Sequence, residues 1–327
     1  MKNIRISILI VVRNNVNKII SCIKSIENQF ENTDDSWELI IVDGVSNDGT
    51  KECAENYLNN KSYPWRIINN PLKILASGWN IGLKNALGKF VLRPDVHSRL
   101  HPNYVKNGIN FLEQNEKMTA VGGALQTNAE GFWGEIIACA LSLKIGVGSS
   151  PFRTKQKDGI VDTVAYGIYR RSIFDQVGFF NENLIRHQDN DMHDRLKKQG
   201  GLLYLLNSMK ADYYCRDSIK TLSIQMYQNG FFLTKLPLHK LRIRHLMPIS
   251  FHLTLLLMLC LTLMHPIFFI FIKIILFCYF FTIACCSVSQ VFKRFELKYL
   301  FLLIIVPIMH FQYAWGMFKG YLKFLKE

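Results

Sequence analysis

The sequence predicts an α/β fold: a mostly parallel sheet flanked by helices, followed by a C-terminal transmembrane helical region. Three observations carry that prediction. Over the first two-thirds of the 327-residue chain, apolar runs too brief for helices alternate with stretches of helical apolar period. That alternation belongs to helices packed on both faces of a parallel sheet. Glu38 to Thr50 reads ELIIVDGVSNDGT, an apolar-rich run that delivers Asp43 to a turn rich in Gly, Asn, Asp and Ser. A buried strand ending on an acidic side chain reads this way. Past about residue 245 the chain turns to long runs almost free of charge, and about 20 apolar residues span a bilayer as a helix.

Each element follows from its own residues. Ile6 to Val12 is read as the first strand. With the two basic residues near it, this run has the outline of a secretion signal. It is short, however, Arg13-Asn14-Asn15 follows at once, and no small-residue cleavage site appears. Ile19 to Gln29 has a helical period, Glu38 to Val42 is the second strand, and Thr50 to Leu58 is a helix. Trp65 to Ile68 is a third strand, Ser77 to Ala86 a helix and Lys89 to Leu92 another strand. Pro102 to Asn115 is a helix with Pro near its start. Past Gly122 the rhythm loosens. A strand is expected at Val161 to Tyr169, then a helix through Met192 to Lys198, then apolar runs near Leu202 to Leu206 and Ala211 to Cys215.

The tail holds three apolar segments: Leu246 to Met264, Pro266 to Val288 with one Lys273, and Leu300 to Phe318 with His310 and Gln312 inside it. The expected division is a domain over 1–245 and a membrane region over 246–327. Lys235, Lys240, Arg242 and Arg244, with His239 and His245, precede the tail, which by the positive-inside rule places the residues before Leu246 in the cytoplasm. Lys293, Arg294 and Lys298 fit a hairpin that returns inside. Lys319, Lys323 and Lys326 make the end basic as well. Three full crossings would put that end outside, so the third segment is either a crossing against the rule or a re-entrant or interfacial helix.

The net charge of +14 implies an acidic partner: nucleic acid, anionic lipid or a phosphorylated substrate. No RNP aromatics and no zinc-finger spacing occur, so nucleic acid is set aside. The eight cysteines form no CxxC pair, and Cys260, Cys278, Cys285 and Cys286 lie in the apolar tail. They are read as reduced, small apolar side chains. No G-x-G-x-x-G follows the first strand, which sets aside a dinucleotide oxidoreductase.

Three constellations carry chemistry. Asp43 stands at a strand end, where ligands of open α/β sheets bind and where a carboxylate can orient a nucleotide; the bland alternative is a turn. Arg93-Pro94-Asp95-Val96-His97 follows a strand directly. Side chains two apart in extended chain point the same way, so Asp95 and His97 can face one divalent cation, Mn2+ or less ideally Mg2+. A simple strand-end turn is the alternative. His187 to Leu196 reads HQDNDMHDRL. Asp194 stands where a calcium loop needs Gly, and no Glu closes that loop. The stretch is read as an acidic helix N-terminus, in which Asp189 either caps the helix or acts as a general base on a bound hydroxyl. His187 and His193 are read as solvated helix-end residues. Trp79 and Trp133 either stack on a sugar or base or pack in the core. Gly146, Gly148 and Arg153 form either a lid or an ordinary loop.

Together, Ser7 to Asn14, VDGVSNDGT (Val42 to Thr50), LRPDVHS (Leu92 to Ser98) and QDNDMHDRL (Gln188 to Leu196) resemble glycosyltransferase family 2. RPDVHS, Val121-Gly122-Gly123, Gly146-Val147-Gly148, VDTVAYGIYRR (Val161 to Arg171) and the apolar tail look like its membrane-bound bacterial subgroup of succinoglycan-biosynthesis type. The resemblance implies a GT-A fold and an inverting transfer of sugar from a nucleotide-sugar donor to a polyprenyl-diphosphate-linked glycan acceptor in surface or exopolysaccharide synthesis. It implies roles position by position. Asp43, Arg93 and Asp95 would bind the nucleotide-sugar, Asp95 and His97 the divalent metal, Mn2+ or Mg2+. Asp189 would be the general base, with Asp191 and Arg195 supporting its loop. It places the protein in the bacterial-type inner membrane, catalytic domain facing the cytoplasm. Gly44, Gln188 and His97 depart from the family pattern, each standing where an acid is usual. The Q-x-x-R-W signature of processive members is absent. The alternatives are a polyprenyl-phosphate sugar synthase and a non-catalytic nucleotide-binding member.

Overall fold

The computed structural model describes residues 4–324 except 32, 34, 149, 155, 156, 238 and 239. His239 and Lys326 of the basic stretches lie outside the described residues, as do residues 1–3 of the candidate signal. The elements are β1 (Ile6–Val12), α1 (Val16–Glu27), β2 (Trp37–Asp43), α2 (Thr50–Leu58), β3 (Trp65–Asn69), α3 (Leu75–Asn85), β4 (Phe90–Leu92), β5 (Ser98–Leu100), α4 (Tyr104–Gln114) and β6 (Met118–Asn128). They continue with α5 (Gly131–Ser142), α6 (Lys144–Val147), α7 (Pro151–Thr154), β7 (Gly159–Val161), β8 (Ile168–Arg170), α8 (Ile173–Val177), α9 (Gln188–Lys198) and β9 (Leu202–Tyr214). The last are α10 (Ile219–Leu233), α11 (Ile243–Leu261), α12 (Ile267–Arg294), a 3-10 turn Leu297–Phe301 and α13 (Leu302–Phe324). The chain forms two compact units, one of Met1–Gln126 with Pro151–Tyr214, the other of Thr127–Ser150 with Cys215–Glu327.

The first unit is built on a mixed sheet of order β3-β2-β1-β4-β8-β6-β9-β5, with β7 on β9. β3, β2, β1 and β4 run parallel. β8 returns antiparallel to both β4 and β6, and β5 and β7 lie antiparallel to β9. The parallel character read from the residues therefore belongs to the first half, and the second half is built of reversals. β1 reads ISILIVV because both its faces are covered. Ile6, Ile8, Ile10 and Val12 join a core with Ile19, Cys22 and Ile23 of α1 and Ile109 of α4. Leu9 faces the opposite core, with Trp79 and Leu83 of α3 and Met192 and Leu196 of α9. The period-2 alternation of a strand does this sorting.

Some expected elements take a different form. The single strand expected at Val161 to Tyr169 is two strands, β7 and β8, which pair with different partners. The chain turns between them at Tyr166, whose φ of 46° is a left-handed conformation no strand residue adopts. The apolar runs at 202–206 and 211–215 belong to one 13-residue strand, β9. α9 starts at Gln188, within the stretch read as an acidic helix N-terminus, after His187 at φ 63°. Its first turn carries Asp189 and Asp191, which suits the positive end of the helix dipole.

The second unit is helical. Its core joins Ile136, Ile137 and Leu141 of α5, Leu222 of α10, Ile283 of α12 and Ile305, Val306 and Met309 of α13. α10 and α13 meet backbone to backbone. A Cβ on Gly230 would stand 2.0 Å from the Tyr313 carbonyl oxygen, and one on Gly316 2.1 Å from that of Tyr227. Small residues at helix crossings of this kind admit close approach. Three helical segments, Ile243–Leu261, Ile267–Arg294 and Leu297–Phe324, are long and apolar enough to cross a membrane.

Candidate active site

The strand order of the parallel half fixes where a ligand can bind. The chain moves outward from β1 to β2 to β3, then returns to place β4 on the other side of β1. In such sheets the crevice opens at the carboxyl ends of the strands where the order reverses. Asp43 ends β2 opposite Val12, and Asp95, just past β4, bridges to Val11. Both thus flank the end of β1, two strand spacings or roughly 10 Å apart.

Asp43 is buried and its carboxylate is committed to the turn it starts. Oδ1 accepts from Ser46 Oγ at 2.6 Å and Oδ2 from the Ser46 N–H at 2.9 Å. The loop after β1 is tied to that turn. Asn14 N–H donates to Ser46 Oγ at 2.9 Å, and Asn47 N–H to Asn14 Oδ1 at 3.0 Å. Val16 N–H donates to Asp48 Oδ2 at 3.2 Å. Hydrogen bonds from the Thr50 hydroxyl and from backbone N–H groups hold the Asp48 carboxyl below its ordinary range. The two loops therefore form one cross-linked rim.

Asp95 Oδ1 accepts the His97 N–H at 2.9 Å, which curls the D-x-H segment around one carboxylate. Lys18 of α1 places Nζ 3.1 Å from His97 Nδ1. An ammonium has only donors, so Nδ1 is the acceptor in this contact. Among the described residues no group of three or more His, Cys, Asp and Glu side chains is placed to hold a metal ion. Mg2+-type sites need only one or two protein oxygens when substrate phosphates supply the rest. Asp95 meets that need as it stands, whereas ligation by His97 Nδ1 requires the Lys18 contact to part.

Arg93 links this rim to α9. Its side chain is 3% exposed, enclosed by Trp79, Phe180 and Tyr169, with ring centroids 3.8, 4.4 and 5.2 Å from Cζ. Nη2 donates to Asp189 Oδ1 at 2.7 Å and to the Tyr169 hydroxyl at 3.3 Å. Among the described residues, Nε and Nη1 are buried without an acceptor. Burial opposes the cation, but the Asp189 carboxylate and the Tyr169 hydroxyl more than offset it and raise the Arg93 pKa. Asp189 itself is 42% exposed, so it presents an accessible carboxylate anchored from behind by a buried guanidinium.

Asp191 and Arg195 lie one turn apart on α9, Arg195 Nε donating to Asp191 Oδ2 at 3.0 Å. The same guanidinium donates to the Val177 carbonyl and, at 2.8 Å, to that of Phe179. This staples α9 to the segment that carries Phe180. Asn80 of α3 holds that segment too, donating to the Phe180 carbonyl and accepting its N–H, both at 2.9 Å.

The sequence-predicted residues thus gather in the first unit. Asp43 and Asp95 flank the end of β1, His97 sits beside Asp95, and Arg93 joins Asp189. One reading changes and one alternative is settled. His193 is fully buried, not solvated: its Nδ1 lies 2.9 Å from Thr163 Oγ1 and its Nε2 2.7 Å from the Tyr169 hydroxyl. Trp79 takes the packing role, but against Arg93 as well as Phe180. Sequence reasoning missed Lys18, Tyr169, Phe180 and Asn80. Tyr169 sits inside the quoted VDTVAYGIYRR motif; no spacing rule points to the others.

The GT-A-like architecture is seen in solved structures. A crystal structure of S. aureus TarS 1-349 aligns with a TM-score of 0.51 at 15% identity, covering 98% of this chain and 91% of that one. GalNAc-T7 with UDP, GalNAc and Mn2+ aligns with a TM-score of 0.53 at 14% identity, covering 72% of this chain and 52% of that one. The profile of glycosyl transferase family 2 matches residues 7–178, more than half of the chain. The chain belongs to that family and is a glycosyltransferase. Its relatives include the dolichyl N-acetyl-alpha-D-glucosaminyl phosphate 3-beta-D-2,3-diacetamido-2,3-dideoxy-beta-D-glucuronosyltransferase of Methanococcus voltae, 27% identical over 97% of both chains. The succinoglycan biosynthesis protein ExoA of Rhizobium meliloti is 25% identical over 59% of this chain and 58% of that protein.

Proposed function

We propose that the protein transfers one sugar, with inversion, from a nucleotide-sugar to a glycan acceptor carried on polyprenyl diphosphate, and that Asp189 is the general base. The observation that carries this reading is the exposed Asp189 carboxylate fixed by the buried Arg93, two residues before Asp95. The acceptor hydroxyl oxygen attacks the anomeric carbon and its proton passes to Asp189. The bond to the diphosphate oxygen breaks on the opposite side, and its electron pair leaves with the nucleoside diphosphate. A single displacement of this kind inverts the anomeric centre. The turn shaped by Asp43 and Ser46 receives the nucleoside, and Lys18 supplies positive charge beside the diphosphate. Asp95, with His97, would hold a divalent metal, Mn2+ or Mg2+, whose chemistry is to neutralise charge on the departing diphosphate. Arg195 and Asp191 keep the start of α9 in place.

The domain over 1–245 is read as cytoplasmic and the region over 246–327 as its anchor in a bacterial-type inner membrane. Basic residues before Leu246 favour the cytoplasmic side. Anchoring confines the enzyme to the surface that holds a lipid-linked acceptor and so raises the effective acceptor concentration. The Methanococcus relative, matched end to end, is named for an acceptor sugar on a dolichyl phosphate, which supports a lipid carrier. The test is transfer in detergent to short glycans linked to polyprenyl diphosphate, to polyprenyl phosphate, or to neither. The expected order puts the diphosphate carrier first. Equal rates on free soluble sugars would overturn the lipid-linked reading.

A further inference from the structure

Behind Asp189 lies a chain of buried polar groups that the transfer step itself does not use. We propose that Tyr169 and His193 are positioning residues which fix the direction of the Asp189 carboxylate through Arg93; this rests on the reading of Asp189 as the base.

The direction of each hydrogen bond follows from the donors present. Arg93 has donors only, so the Tyr169 oxygen accepts from Nη2. The Tyr169 hydroxyl proton then points to His193 Nε2, 2.7 Å away. That makes Nε2 the acceptor and leaves the ring proton on Nδ1, which donates to Thr163 Oγ1 at 2.9 Å. Burial pushes the Tyr169 hydroxyl pKa up to about 12, so the phenol keeps the proton it donates. The run from Thr163 through His193, Tyr169 and Arg93 to Asp189 is unbroken, and its inner members are buried.

Why Arg93 needs this support is visible at its other nitrogens. Among the described residues Nε and Nη1 have no acceptor, so one terminal nitrogen holds both Asp189 and Tyr169. The aromatic rings fix the guanidinium plane but not its rotation within that plane, and the Tyr169 oxygen removes that freedom. Placement by the fold is equally specific. Val91 of β4 pairs with Tyr169 of β8, and Arg93, two residues on from Val91, turns to the same side of the sheet. Asp189 and His193, four apart on α9, share one face of that helix. The sheet and α9 therefore meet through two polar contacts rather than one, and the base is attached to both.

The consequence is geometric. A base that swings by about 1 Å can lose roughly 100-fold in rate while substrate binding is little changed. In the full-length enzyme, Tyr169→Phe keeps the ring against Arg93 and deletes only the hydroxyl. It is expected to lower kcat by roughly 10- to 100-fold with donor KM within about twofold of wild type. His193→Leu should do the same. His193→Gln, whose side-chain oxygen can accept the phenol proton, should recover most of the loss. Because the residues act as one unit, the double variant of Tyr169→Phe with His193→Leu should be no slower than the worse single variant. Wild-type kcat in Tyr169→Phe overturns the proposal, as does a loss confined to donor KM. If His193→Leu does not fold, Tyr169→Phe alone decides. Asp189→Asn separates the two readings. If it is inactive while the Tyr169 and His193 variants turn over normally, only the positioning network fails. If Asp189→Asn itself turns over normally, the base assignment fails and the network with it.

Discussion

Arg93 is the most constrained side chain of the candidate site. A cation this deeply buried needs compensation, and it finds a carboxylate on one side and three aromatic faces on the others. A guanidinium is flat and can stack on Trp79 while its end reaches Asp189; an ammonium is a point charge and cannot do both. Arg93→Lys is therefore expected to lose roughly 10- to 100-fold in turnover and to melt a few degrees lower, although the charge is unchanged. Transfer kinetics beside thermal unfolding check this, and wild-type turnover in that variant would refute it. The acids of the candidate site stand out in the sequence because strand ends and helix starts mark themselves with turn chemistry. Their partners were not. Tyr169 and Phe180 look like ordinary core residues, and His193 sits in so polar a stretch that it read as solvated. Only the pairing of β4 with β8 brings Tyr169 between Arg93 and His193.

Elements were legible where hydrophobic period and length agree. β1, β2, α2 and α3 appeared within a residue or two of their reading because a strand covered on both faces and a helix with one apolar stripe leave clear patterns. The antiparallel half was harder. β5, β7 and β8 are three residues each, held by partners distant in sequence rather than by local preference. β6 contains Gly122 and Gly123, poor strand formers, yet a Cβ on Gly123 would stand 2.0 Å from the Met209 carbonyl oxygen, so the close approach of β6 to β9 demands the absence of a side chain. The outer packing of the parallel half depends on Glu27 at the end of α1. Its carboxylate accepts from the hydroxyls of Tyr57 at 2.6 Å and Tyr63 at 2.7 Å and pairs with Lys61 at 2.8 Å. Burial pushes its pKa up, but Lys61, Tyr57 and Tyr63 together hold it below the ordinary value of 4.5. A carboxyl depressed in the folded state stabilises above its unfolded pKa and loses that contribution as pH falls through the folded one. Glu27→Gln should therefore melt below wild type near neutrality, and the gap should narrow as pH drops beneath 4.5. Melting temperature against pH for both proteins measures this; a gap that is constant with pH would contradict it.

At the scale of the whole molecule, two signals in the sequence were separable: an alternating α/β chain, and a tail of three segments long and apolar enough to cross a membrane. The glycine contacts between α10 and α13 were not legible, because closeness of two helices depends on which of their faces meet. The membrane reading predicts that the full chain stays with membranes through carbonate and high-salt washes and leaves them only in detergent. Release by salt alone would mean surface adsorption through the +14 charge rather than insertion. Sugar transfer by Asp189→Asn decides whether the accessible carboxylate held by buried Arg93 is the base. The amide oxygen can still accept from Arg93, so the fold and donor binding should persist while kcat falls by at least roughly 100-fold. Turnover within a few-fold of wild type would rule Asp189 out as the base.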